Sequence, residues 1–124
     1  MNAGPDGARP ATLVHLAGIV AAGRHGANPG EQDARQEFVV DVDVWLAAEG
    51  DALEDTADYR DIVATVRAVV AERSFHLLET LAQDVARSVQ GLDRVVRAAV
   101  VVHKPSAAAS LGVADVSAGA TEGS

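Results

Sequence analysis

The 124-residue chain has no cysteine, one lysine, one tyrosine, one tryptophan and two phenylalanines. Without cysteine there is no disulfide, no thiol nucleophile and no thiolate metal site. Aromatics make up 3% of the chain, which leaves few faces for stacking bases, and a net charge of −8 repels phosphates. Both argue against nucleic-acid binding. No apolar run approaches the ~18 residues that a membrane span needs. Residues 1–10 (MNAGPDGARP) lack the basic start and apolar centre of a signal peptide. The expectation is a cytoplasmic protein with no membrane partner. Several chemical signatures are missing as well: no G-x-S-x-G, no glycine loop ending in Lys-Ser/Thr, no dinucleotide fingerprint. The histidines His15, His25, His76 and His103 form no metal-ligand spacing, so no metal or other cofactor is expected.

What is present is small and apolar. Hydrophobic residues are 48% of the chain, and 25 alanines and 19 valines dominate them, so each buried side chain removes little area from water. A core of this kind gains if a neighbouring copy covers one face of it, and self-association is therefore favoured.

Patterning sets out one domain over residues 12–118, with tails 1–11 and 119–124 expected to be disordered. Thr12–Val20 reads as a first strand, followed by a turn-rich segment from Gly23 to Arg35. From Gln36 to Ala47 the period is two: Phe38, Val40, Val42, Val44 and Leu46 on one face, Val39, Asp41, Asp43 and Trp45 on the other. The period then becomes helical. Tyr59, Ile62, Val63, Val66 and Val70 mark one helix, with Asp58 near its start. Leu78, Leu81, Ala82, Val85 and Val89 mark another, closed by Gly91. Val95–Lys104 returns to extended chain up to Pro105, and Leu111–Ser117 is expected to be a short last strand. The order β-β-α-α-β-β predicts an α+β fold, a four-stranded antiparallel sheet with two helices on one face.

Three polar residues stand out. Lys104 is the only lysine, and lysine, unlike arginine, can lose a proton in a protein; it could equally be an edge lysine that blunts the sheet. Tyr59, the only tyrosine, opens the first helix, where it could also serve as a core anchor. Glu79 sits in the first turn of the second helix, where a carboxylate suits the helix dipole whatever else it does. His15 and His103 read as tolerated strand residues.

Five segments carry a resemblance in order and spacing. They are Gly23–Glu31 (GRHGANPGE), Gln36–Val42 (QEFVVDV), Asp55–Tyr59 (DTADY), Leu77–Ala82 (LLETLA) and Val102–Pro105 (VHKP). Together, over about residues 13–117, the chain resembles the dihydroneopterin aldolase family. The resemblance implies the tunnelling fold, in which four subunits close their sheets into a barrel, two such rings can stack, and sites lie between subunits. Self-association into a homotetramer or homo-octamer is implied with it. So is a pterin substrate: 7,8-dihydroneopterin is cleaved to 6-hydroxymethyl-7,8-dihydropterin and glycolaldehyde in folate synthesis, without a metal or a Schiff base.

Residue by residue, the resemblance matches Glu79 to the carboxylate that grips the pterin's 2-amino and N3–H edge, a fork of two parallel donors. Leu78 contributes its backbone to the same ring. Glu31 matches an acidic residue contributed across the interface, Tyr59 the site tyrosine, and Lys104 the general acid/base, with Tyr59 assisting. Arg35 stands where the family usually has glycine, Ala57 replaces a commoner valine, and residues 106–110 lack the family's prolines. Two other readings fit the same scaffold: epimerisation at C2′ of dihydroneopterin or its triphosphate, and a pterin-binding oligomer without catalysis.

Overall fold

Strict alternation of apolar and other side chains fixes the centre of the molecule. In the computed structural model, which describes residues 12–47 and 50–123, Gln36–Leu46 form β2. Phe38, Val40, Val42, Val44 and Leu46 are all buried along it, as the period of two predicts. Thr12–Gly23 form β1, which pairs antiparallel with β2 and holds one extra residue between Leu16 and Ile19. Gly18 takes φ +75° in that bulge, a left-handed conformation natural to glycine.

The chain then turns helical at Asp58, whose carboxylate accepts the Arg60 N–H at 2.9 Å and caps α1 (Tyr59–Glu72). Helix α2 covers Leu78–Gln90 and ends at Gly91. Ile62, Val66 and Val70 of α1 meet Leu81, Val85 and Val89 of α2 in one core with the inner face of the sheet. Asp84 is a buried carboxylate in that layer, satisfied by Arg73 and, at 3.0 Å, by Arg87. Val95–His103 form β3, antiparallel to β2. The sheet order is β1-β2-β3-β4, with both long helices on one face as expected.

The C-terminal third departs from expectation. Beyond Lys104, where the expected order has no helix, Pro105–Leu111 form a short one, α3, so the order is β-β-α-α-β-α-β. Proline at the first helical position and an alanine run favour the helix, and Gly112 closes it at φ +70°. The last strand is therefore not Leu111–Ser117. It is β4, Ser117–Gly123, paired with β3 from His103↔Ser117 to Arg97↔Gly123. Residues 119–123, expected to be a disordered tail, are sheet. Ala118 and Ala120 tuck against the core, and the β3 backbone supplies the hydrogen bonds that so small a set of side chains does not advertise. The expected tail at residues 1–11 lies outside the described residues.

Candidate functional site

The turn-rich segment after β1 is organised by a histidine. His25 is buried, its Nε2–H donates to the Val70 carbonyl at 2.8 Å, and its Nδ1 accepts the Phe75 N–H at 3.0 Å. One ring nitrogen gives and the other takes, so the neutral ring is the form that fits. Burial accordingly lowers its pKa below 6.5, with Lys104 adding to the effect. The ring lies edge-on to Phe38 and stacks on Phe75. His25 thus ties the segment to the end of α1 and to the approach to α2.

On this support sits Glu31, in a 3₁₀ turn over Glu31–Asp33. Its carboxylate pairs with the Lys104 ammonium at the end of β3, and both side chains are largely buried, 20% and 14% exposed. That disposes of Lys104 as a solvated edge lysine. The ammonium is the main reason the Glu31 carboxyl lies below its ordinary range; the Asn28 N–H and Gln36 contribute in the same direction. Gly26 passes so close that a Cβ there would overlap the Glu31 carboxylate. Gln36, the first residue of β2, donates to the His25 carbonyl at 2.7 Å and to Glu31 at 3.5 Å. The Ser106 hydroxyl in α3 donates to the Gln36 side-chain oxygen at 2.6 Å.

These groups border a cleft of about 470 Å³, lined by Glu31, Arg35, Gln36, Lys104, Ser106 and Leu111 among others. That size falls within the ~300–1,000 Å³ typical of small-molecule sites. Of the expected site residues, Glu31 and Lys104 meet within a single chain, so Glu31 needs no interface to reach the lysine.

Tyr59 does not join them. It is 54% exposed, which rules out the core-anchor reading, and it faces a separate groove with Arg60, Val63, Ala64 and Arg67. The groove shares no lining residue with the Lys104 cleft. Glu79 is exposed in the first turn of α2, and Leu78 beside it is half-buried against the core. The chain leading to them is fixed to the Glu31 segment: Gly26 N–H donates to the Phe75 carbonyl at 3.0 Å, and Gln32 donates to His76 Nδ1 at 3.2 Å. Backbone N–H groups in a first helical turn have no acceptor within the helix, which leaves the Leu78 region suited to a ligand carbonyl. Sequence reasoning did not find His25, Gln36 or Ser106. Gln36 had one visible signal, a polar residue in register with the apolar stripe of β2.

A lysine and a carboxylate paired beside a cleft, on an antiparallel sheet backed by helices, are the parts that an α+β enzyme moving protons on a small molecule would need. Comparison with known proteins makes this specific. The family model described as dihydroneopterin aldolase matches residues 14–119. The dihydroneopterin aldolase of Streptomyces coelicolor is 36% identical over 107 residues, 83% of this chain and 90% of that one. Among solved structures, E. coli dihydroneopterin aldolase in complex with neopterin superposes with a TM-score of 0.77 at 22% identity, covering 90% of this chain and 99% of the other. A Burkholderia dihydroneopterin aldolase bound to guanine gives 0.75 at 23%, covering 93% of each. The chain belongs to the dihydroneopterin aldolase family. No described helix is long and apolar enough to cross a membrane.

Proposed function

We propose that this protein cleaves 7,8-dihydroneopterin by a retro-aldol reaction to 6-hydroxymethyl-7,8-dihydropterin and glycolaldehyde, in the cytoplasm. The observation that carries the reading is the Lys104–Glu31 pair at its cleft, in a chain of this family. The relatives with bound neopterin and guanine support a bicyclic ligand with an amino–imino donor edge. Glu79 receives that edge through two parallel hydrogen bonds, with the Leu78 backbone beside it. Lys104 exchanges the proton of the 2′-hydroxyl through water. As the C1′–C2′ bond breaks, C2′ leaves as the aldehyde carbon of glycolaldehyde, the released pair forms a C6=C1′ double bond, and the N5=C6 π pair moves onto N5, which holds a proton until C1′ receives one. The resulting enamine is then protonated at C1′. The substrate is its own electron sink, so the protein's work is orientation and proton transfer.

Tyr59 assists from a neighbouring copy, because its own groove is separate from the Lys104 cleft. Self-association into a homotetramer or homo-octamer belongs to the same proposal. It is supported by the sheet face away from the helices, where Leu13, Val20 and Val101 are exposed, and by the outer edges of β1 and β4, which pair with no described strand.

The test is incubation of purified protein with 7,8-dihydroneopterin and a chelator. Equal amounts of the two products are expected. The 2′-epimer without glycolaldehyde would favour the epimerase reading, and binding without conversion would leave only a pterin-binding oligomer.

A further inference from the structure

The face of the sheet turned away from the helices carries a polar chain that runs from β1 across β2 and β3 to the segment before β4 and has no part in the proposed chemistry. It begins at the β1 bulge, where the Gly18 N–H donates to Asp41 of β2 at 2.8 Å. The other Asp41 oxygen accepts His103 Nε2–H of β3 at 2.8 Å. His103 Nδ1–H reaches the Asp115 carboxylate, just before β4, at 3.0 and 3.1 Å. Successive strand residues point to opposite faces, so His103 stands behind Lys104 and not in its cleft.

We infer that His103 is a positioning residue for Lys104, holding the segment between α3 and β4 that supports the lysine's backbone; the inference rests on Lys104 acting as the proton-transfer group. Residues 112–115 are exposed and belong to no helix or strand. Among the described residues, the Asp115–His103 contact is the only side-chain hydrogen bond this segment makes. Its next residue, Val116, gives its carbonyl to the Lys104 N–H at 2.8 Å. The contacts therefore form an unbroken series beside the β3–β4 ladder, which pairs His103 with Ser117. The bulge fixes Asp41, Asp41 fixes His103, His103 fixes Asp115, and the Val116 carbonyl then fixes the residue whose ammonium meets Glu31.

The bridge is sensitive to pH, because both ring nitrogens donate and only the imidazolium has two N–H groups. The groups facing it are Asp41 from β2, Asp115 from the segment before β4, and, through Asp41, His15 at the β1 end of the face; α3 brings no charge. The carboxylates, Asp115 foremost, raise the His103 pKa above 6.5. When the ring loses its proton at high pH, one carboxylate loses its donor. Asp41 keeps the Gly18 N–H, so it is the Asp115 segment that is released.

The experiment measures kcat and KM for 7,8-dihydroneopterin cleavage from pH 6 to 10 in wild type, His103→Gln, Asp115→Asn and Asp43→Asn. In parallel it measures hydrogen exchange of the Lys104 amide. Asp43 is on the same face, paired with His15, and outside the bridge, so its change removes the same charge without touching it. His103→Gln is expected to lower kcat about tenfold with little change in KM, a displacement effect at the acid/base group. Asp115→Asn keeps a hydrogen-bond acceptor and should move the alkaline limb of kcat to lower pH. Both should quicken exchange at Lys104, and Asp43→Asn should do neither. Unchanged kcat and exchange in His103→Gln would overturn the inference, and so would an Asp43→Asn shift equal to that of Asp115→Asn. If His103→Gln fails to fold, Asp115→Asn decides alone. If the wild type releases no glycolaldehyde, the aldolase reading fails, while amide exchange still decides whether His103 holds Lys104.

Discussion

Glu31 and Lys104 meet inside one chain and are braced by Gln36, Ser106, Asn28 and His25, while Tyr59 and Glu79 project from the first turns of their helices. Among the described residues, neither of the latter two side chains makes a hydrogen bond or ion pair. Under the proposed function the contrast separates the acid/base pair that one chain builds alone from the groups it leaves open, Glu79 to a ligand and Tyr59 to a neighbouring copy. Proton transfer needs a charge pair at fixed geometry and partial burial, and a single chain can build that from its own loops. Recognition groups need to be open to what approaches them, whether a ligand or a second copy of the chain.

Removing the ammonium should give the largest effect. Lys104→Ala is expected to lower kcat by about 10²–10⁴-fold, the range for loss of a general acid/base, with a smaller change in neopterin affinity. Comparable losses in both would put Lys104 among the positioning groups. Glu79→Ala should act on the other half of the comparison. Neopterin affinity should weaken by about 1.5–3 kcal/mol, the worth of hydrogen bonds to a charged group, with only a small change in melting temperature, because the exposed side chain gives up no more than its helix-dipole interaction. Calorimetric titration with neopterin measures this directly, and wild-type affinity would remove Glu79 from the ring-binding role. Tyr59→Phe should be milder, lowering kcat by about tenfold, below the 10²–10⁴-fold of a full acid/base group because Tyr59 only assists, and leaving the melting temperature alone.

The smallest effect is on stability against pH, and it has two opposed parts. The pKa of His25 is lowered by burial, so the unfolded chain binds a proton first and stability falls as pH drops below 6.5. The pKa of His103 is raised by its carboxylates, so its contribution is whole below 6.5 and is lost as pH rises through its folded value. Melting temperature measured from pH 5 to 10 should fall on both sides. Asp115→Asn should flatten only the alkaline side, and a decline left intact there would mean another group causes it.

Much of the fold could be read from the sequence, because β2, α1 and α2 announce themselves by period: five buried residues in alternation, then apolar residues at helical spacing behind Asp58. The end of the chain could not. In SAGATEG the inward positions hold Ala118, Ala120 and Glu122 and the outward ones serine, glycine and threonine, so hydrophobic contrast vanishes and only pairing with β3 makes a strand. Helix α3 likewise lacks an apolar stripe, although the proline at its first position and the alanines after it are helix signals that the sequence did carry. The family resemblance marked Glu31 and Lys104 singly and put Glu31 across an interface; that they meet within one chain was hidden, since 73 residues separate them. Their supports stayed hidden because each acts at long range: Ser106 on Gln36 across 70 residues, His25 on Phe75 across 50, His103 on Asp41 across 62. Spacing along the chain carries no trace of such contacts.

If one chain builds the acid/base pair and another lends the tyrosine, two defective chains should repair each other. Lys104→Ala and Tyr59→Ala subunits, each nearly inactive alone, would be unfolded together, refolded as a mixture and assayed for glycolaldehyde release. Recovery of activity well above the sum of the separate preparations is the predicted result, since some sites then combine an intact Lys104 with an intact Tyr59 from its neighbour. A mixture that assembles and shows no gain over that sum would contradict the division of the site between chains.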